Sequence, residues 1–296
     1  MSYRDNYWEI CMKNFLIATN YIKDSNLVLT TLIEDYLKER GCSYKRVLGN
    51  FNNSEADNDV SFSICENDSY DCAIALGGDG TILQVSRDLR NTDIPIVGVN
   101  LGTIGFLTEV EPNQIEAVLD RLIDDDYSIE ERMNIEGCVV KGGKSQGDDI
   151  ALNDIVITRA GFSRVIGLKV YVNGKVMEIY EADGVIVSTP TGSTGYNLSA
   201  GGPIVSPKTD IIIITPISSH SLTSKSIVLS GSDEIEIEVL KMRKAQKEEA
   251  ILSFDGQPGT QLSPGDRVKI VRSDKTTKMI KLFDVSFYKV LRDKIR

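Results

Sequence analysis

Apolar positions follow two rhythms along the chain, and the change of rhythm near residue 131 divides it. Over the first 130 residues, short apolar runs alternate with amphipathic stretches. "NFLIATN" (14–20) reads as a strand, "LVLTTLIEDYLKERG" (27–41) repeats its apolar positions close to every 3.6 residues and stops on glycine, and "DCAIALGG" (71–78) reads as a further buried strand. This is a βαβ pattern. The polar stretch "NFNNSEADND" (50–59) between them reads as a surface loop. Farther on, "TILQVSRDLR" (81–90) predicts a helix, "IPIVGVN" (94–100) a buried strand, and "PNQIEAVLDRLIDDD" (112–126) a helix with proline near its first turn. An N-terminal three-layer α/β domain over residues 1–130 follows.

From residue 131 to about 275 the spacing becomes that of short strands: "IEGCVVKGG", "IALNDIVITR", "LKVYVNGKVMEIY", "SDEIEIEVL", "EAILSFDGQ" and "DRVKIVRS". A β-rich sandwich domain is expected. Asn173-Gly174 marks a hairpin, because both residues accept the positive φ of a tight turn. The tail "FDVSFYKVLRDKIR" within 276–296 returns to helical spacing and is rich in Lys and Arg. It could pack back on the first domain or cap the second.

Composition narrows the function classes. Against 33 Lys plus Arg stand 43 Asp plus Glu, a net charge of −10, which disfavours nucleic acid as a partner. The apolar runs, such as "DIIIITPI" (210–217), are shorter than the roughly 20 residues of a membrane helix, and residues 1–14 lack the apolar segment of a secretory signal, so a cytoplasmic protein is expected. Five cysteines without a C-x-x-C pair suit reduced structural thiols, and His220 is the only histidine, so no metal site on the protein is expected. Acid–base work falls to carboxylates.

"IALGGDGTILQ" (74–84) has the strand, glycine turn and helix start of a phosphate-binding loop, with an aspartate at its centre. A carboxylate repels phosphate across a few ångströms, so Asp79 needs another role. Taken alone, Gly77, Gly78 and Gly80 are simply a tight turn. Three further segments stand out: "LNDIVITR" (152–159), "DGVIVSTPTGSTGYNLSAGGPIVSP" (183–207) and "FDGQ" (254–257).

In order and wording, the four segments resemble the NAD kinase family, which transfers the γ-phosphate of ATP to the adenosine 2′-hydroxyl of NAD and makes NADP. The resemblance spans residues 71–257. It implies a Rossmann-like, phosphofructokinase-like first domain, an NAD-binding second domain, transfer in the cleft between them, a divalent cation (Mg2+ with ATP), and a homodimer or homotetramer. Inorganic polyphosphate is a possible donor in place of ATP. "GGDG" alone also occurs in lipid kinases and phosphofructokinases, so a lipid kinase is the rival enzyme. A catalytically silent NAD(H)-binding regulator is the rival of another class.

Carried over residue by residue, the resemblance assigns Asp79 to the acceptor hydroxyl and gives Gly80 and Thr81 backbone N–H groups for phosphate oxygens. Asn153 suits an adenine edge and Asp154 ribose hydroxyls. Asp154 is one methylene shorter than the family's usual glutamate. Asp183, Thr191, Thr194, Gly195, Tyr196, Asn197, Leu198 and Ser199 match positions around the dinucleotide, with Tyr196 placed to stack on adenine. The plainer reading of Tyr196 is a core tyrosine with a satisfied hydroxyl. Arg164 matches a basic position suited to pyrophosphate, Ser218 a nicotinamide-end contact across a subunit interface, and Gln257 a nucleotide contact. Gln84 and Glu181 stand where relatives often carry basic residues. Glu181 beside Asp183 would form a negative patch that favours the cationic ring of NAD over NADH.

Overall fold

The structure is a computed structural model and describes residues 11–49, 69–102, 105–161, 165–221, 224–241, 250–284 and 286–294. The stretch 50–59 and Arg164 lie outside the described residues. Two compact units emerge. The first takes in the described residues up to 130 together with 278–294, and the second runs over residues 131–277.

The first unit contains β1 (Asn14–Asn20), α1 (Val28–Glu39), β2 (Ser43–Gly49), β3 (Cys72–Gly77), α2 (Asp79–Asp88), β4 (Ile96–Asn100) and α3 (Ile115–Ile123). Its four strands are parallel, in the order β2-β1-β3-β4. Phe15, Leu16, Ile17 and Ala18 are all fully buried, which is why β1 reads as an unbroken apolar run rather than an alternation. Phe15, Ile17, Ile74, Leu76, Val97 and Val99 share one core cluster with Ile33 and Leu37 of α1 and with Val118, Leu119 and Leu122 of α3. Gly98 lies between the last two valines, on the other face, where an added Cβ would overlap Ile82 of α2. Helices therefore cover both faces. α2 begins at Asp79, earlier than the predicted 81, and Pro112 sits in a 3-10 turn (Pro112–Gln114) ahead of α3 rather than inside it.

The second unit is built from β5 (Ser128–Lys141), β6 (Lys144–Ala151), β7 (Asp154–Arg159), β8 (Ile166–Val172), β9 (Lys175–Ala182), β10 (Gly184–Ser188), the short helix α4 (Tyr196–Ser199), β11 (Ile211–Ile217), β12 (Ile227–Ser230), β13 (Ile235–Leu240), β14 (Ala250–Phe254), β15 (Thr260–Leu262) and most of β16 (Arg267–Lys281). One sheet runs β16-β13-β8-β9, with β5 paired to β16 and β6; the other runs β12-β11-β10-β7-β14-β15. Inward side chains of both, such as Leu168, Ile237 and Val268 against Ile157, Val187 and Ile214, form a single core. Along β13, Ile235, Ile237 and Val239 are buried, while Glu236 and Glu238 between them both pair with Arg267. The predicted hairpin at Asn173 and Gly174, with φ of 50° and 74°, joins β8 to β9.

β16 continues past the predicted end near 273 to Lys281, and its Met279 pairs in parallel with Ile96 of β4. Ile280 and Leu282 join the core of the first unit. The tail forms α5 (Phe287–Lys294), with the Phe287 ring 6.4 Å from that of Phe106 and Lys294 over the same ring at 4.3 Å. Among the described residues, Cys11, Cys42, Cys72 and Cys138 are unpaired, and burial pushes the Cys72 thiol up. No described helix is long and apolar enough to cross a membrane.

Candidate functional site

In the first unit, β3 ends at Gly77 and hands the chain to α2 through Gly78, the extended residue ahead of the first turn (φ −141°). Thr81 closes that turn: its N–H reaches the Gly78 carbonyl at 2.9 Å, and its hydroxyl accepts the Gly78 N–H at 3.4 Å. Asp79 is therefore the first residue of a helix, with its carboxylate fixed by another segment. Oδ2 accepts the N–H of Phe106 at 2.8 Å, and Oδ1 that of Leu107 at 3.0 Å. Each oxygen keeps a further lone pair for a ligand. Gly105 makes room for this arrangement, because any side chain there would overlap the carboxylate. Gly80 is exposed beside it. The segment Gly105–Leu107 was missed by sequence reasoning. Its signal was a lone glycine in "GFL" after a strand, too common to single out.

The second unit gathers Asn153 and Asp154 at the start of β7. What fixes them is Asp255, in the turn after β14, which accepts the backbone N–H of Leu152 at 2.8 Å, of Asn153 at 2.7 Å and of Asp154 at 3.0 Å. Asp255 holds a φ of 49° and was also missed; beside Gly256 it looks like any turn aspartate. Asp154 is 5% exposed, and burial, joined by the charge of Asp255, pushes its carboxyl up to about 7. The Asn153 carbonyl accepts the N–H of Thr189 at 2.9 Å, while its side-chain Nδ2 lies 3.3 Å from where a Cβ of Gly195 would stand. Asn153 and the Thr191–Gly195 turn are thus brought together.

The remaining predicted residues divide by what their side chains do. Tyr196 is 45% exposed at the start of α4, so the core-tyrosine reading falls away, and Ser199 is exposed with it, next to half-buried Leu198. Buried Thr191 accepts a hydrogen bond from Arg132 at 3.4 Å, and the Thr194 hydroxyl donates to the Thr191 carbonyl at 3.2 Å. The Asn197 side chain is fully buried, and its amide donates to the carbonyls of Ser193 (3.1 Å) and Pro203 (3.0 Å) and accepts from Thr215 (2.7 Å), which locks the turn. At the expected negative patch, Asp183 is ion-paired with Arg159 at 2.7 Å and Glu181 is exposed. Ser218 is exposed, with a φ of 46° that non-glycine residues rarely adopt. The N–H of His220 reaches the carbonyl of Glu181 at 3.0 Å. Gln257 is half-buried, its N–H bonded to the Phe254 carbonyl at 3.0 Å.

Residues 14–127 match the ATP-NAD kinase N-terminal domain, and residues 152–282 match the ATP-NAD kinase C-terminal domain. An NAD kinase of Lachnoclostridium phytofermentans is 45% identical over 295 residues, covering 96% of this chain and 99% of that relative. The chain belongs to the ATP-NAD kinase family. Membership makes it a phosphotransferase, with an N-terminal α/β domain and a C-terminal β-rich domain. Among solved structures, an NAD kinase from Archaeoglobus fulgidus in complex with ATP is similar with a TM-score of 0.73 and 26% identity, covering 96% of this chain and 99% of that one. Yeast NADH kinase complexed with NADH reaches a TM-score of 0.80 at 23% identity, covering 97% and 88%, a likeness of fold alone. Among the described residues, no three His, Cys, Asp or Glu side chains come together as a metal site.

Proposed function

We infer that this member of the ATP-NAD kinase family transfers the γ-phosphate of ATP to the adenosine 2′-hydroxyl of NAD, with Asp79 as the group that orients that hydroxyl. The observation that carries the reading is the clamping of the Asp79 carboxylate by two backbone N–H groups in the first turn of α2. An ordinary carboxylate is too weak a base to strip a ribose hydroxyl in the ground state. It suits a loose transition state in which positioning dominates and the proton leaves late. The hydroxyl oxygen forms its bond to the γ-phosphorus, the bond to the bridging oxygen breaks, ADP departs, and Asp79 takes the proton before passing it to solvent.

A divalent cation such as Mg2+, bound to the ATP phosphates, would offset their charge near Asp79. Asn153, Asp154, Thr191, Thr194, Gly195, Tyr196 and Ser199 form the dinucleotide-binding set, supported by the approach of Asn153 to the Thr191–Gly195 turn; Asp183, Arg164, Ser218 and Gln257 complete it on the strength of the motif match. Assembly as a homodimer or homotetramer rests on the family resemblance, and action in the cytoplasm on the short apolar runs of the sequence. Incubating the protein with NAD, ATP and Mg2+ and reading NADP with an NADP-specific dehydrogenase tests the reaction. NADP should accumulate with time and enzyme; none with ATP, polyphosphate, NAD or NADH in any pairing would refute it.

A further inference from the structure

Beside the glycine turn stands a cation that neither the motif nor the reaction so far accounts for. The ammonium of Lys23 lies 2.7 Å from where a Cβ of Gly78 would be and 3.7 Å from where one of Gly102 would be. Gly78 therefore provides the space that the ammonium borders, immediately before Asp79. Lys23 is exposed, and among the described residues it has no ion-pair partner, in a chain of net charge −10.

The turn that carries Lys23 is pinned. Its N–H is shared between the carbonyl of Asn20 (3.1 Å) and the side-chain oxygen of Asn20 (3.3 Å). The next residue, Asp24, is buried and caps α1, accepting the N–H of Thr30 at 2.9 Å and its hydroxyl at 2.6 Å. A long flexible side chain on a fixed base can reach a ligand without the turn having to reorganise.

Among the described residues, two buried polar atoms near the same sheet end lack partners. Asn20 and Asn100 close β1 and β4 on either side of Gly77, and both Nδ2 of Asn20 and Oδ1 of Asn100 are unsatisfied. Such groups are costly unless something pairs them. The first turn of α2 adds N–H groups at Asp79 and Gly80 that no intrahelical carbonyl can serve. Its N-terminus favours negative charge.

We propose that Lys23 binds the terminal phosphates of the nucleoside triphosphate donor, supplying positive charge from the β1–α1 turn. The basic position on α2 is held by Gln84, a neutral side chain whose amide is tied to Asp88 at 3.0 Å. The Lys23 ammonium borders Gly78, next to the N-terminus of α2, where a phosphate can rest with its charge balanced. The proposal rests on the kinase reading above and extends it to the donor.

Lys23→Met and Lys23→Gln test it, each checked against wild type for its thermal midpoint. Both are expected to raise KM for ATP at least about tenfold, the scale of one lost charge-assisted hydrogen bond, with KM for NAD within about twofold. Lys23→Arg should keep a part of the ATP affinity. Calorimetric binding of the Mg2+–ADP and Mg2+–ATP complexes gives a readout independent of turnover: ATP binding should weaken more than ADP binding. A wild-type enzyme that makes NADP while both variants keep normal ATP binding and KM would overturn the role of Lys23 and leave the kinase reading standing. A wild type that makes no NADP yet binds ATP through Lys23 would do the reverse.

Discussion

Gly105 and Asp79 compete for one volume: a Cβ on Gly105 would overlap Oδ1 of the Asp79 carboxylate, and the glycine's absence of a side chain is what lets the N–H groups of Phe106 and Leu107 reach both oxygens. Replacing this glycine should therefore act on turnover rather than on dinucleotide binding. Gly105→Ala is expected to lower kcat by at least about tenfold, since a misplacement of about an ångström is costly in a positioning mechanism, while the dissociation constant for NAD stays within about twofold. Steady-state kinetics with calorimetry checks this. Unchanged kcat would show that the carboxylate need not be held where it is.

Asp255 makes a comparable claim in the second unit, because three consecutive N–H groups lose their acceptor when it is removed. Asp255→Ala should lower unfolding free energy by at least about 2 kcal/mol and weaken NAD binding, whereas Asn153→Ala should weaken NAD binding by about 1 to 3 kcal/mol with little change in stability. Denaturant titration alongside calorimetry separates the two. Equal behaviour of both variants in both measurements would remove the distinction between holding the site and forming it.

Asp154 ties stability to pH. Its carboxyl is raised from an ordinary value near 3.8 to about 7, first by burial and then by Asp255. Between those values the folded protein binds more protons at this site than the unfolded chain. The contribution is full below about 3.8 and is lost as pH rises through about 7. Asp154→Asn abolishes the titration, so its stability relative to wild type should improve from pH 5 to pH 8. A difference that is flat across this window would mean that Asp154 does not titrate there.

How far the chain could be read from its letters depends on the range of the interaction. β1 was legible to the residue, because a strand buried on both faces must be apolar throughout, and the Asn173-Gly174 hairpin was legible because positive φ restricts composition locally. The motifs pointed to the family, and the family match agrees. The start of α2 was misjudged because two glycines hide a helical turn that Thr81 closes. Gly105 and Asp255 act on residues far away in sequence, a relation that periodicity does not encode. Nor does the nucleotide motif reveal that the Asn197 amide is bonded to Ser193, Pro203 and Thr215.

The central claim is that one clamped carboxylate orients the hydroxyl that receives the phosphate. The most direct test is kcat for NADP formation by Asp79→Asn, measured with the dissociation constant for NAD on the same preparation. The account predicts a fall in kcat of at least about a hundredfold with NAD affinity nearly unchanged. Near-normal turnover in that variant would contradict it and leave Asp79 as the residue that begins a helix.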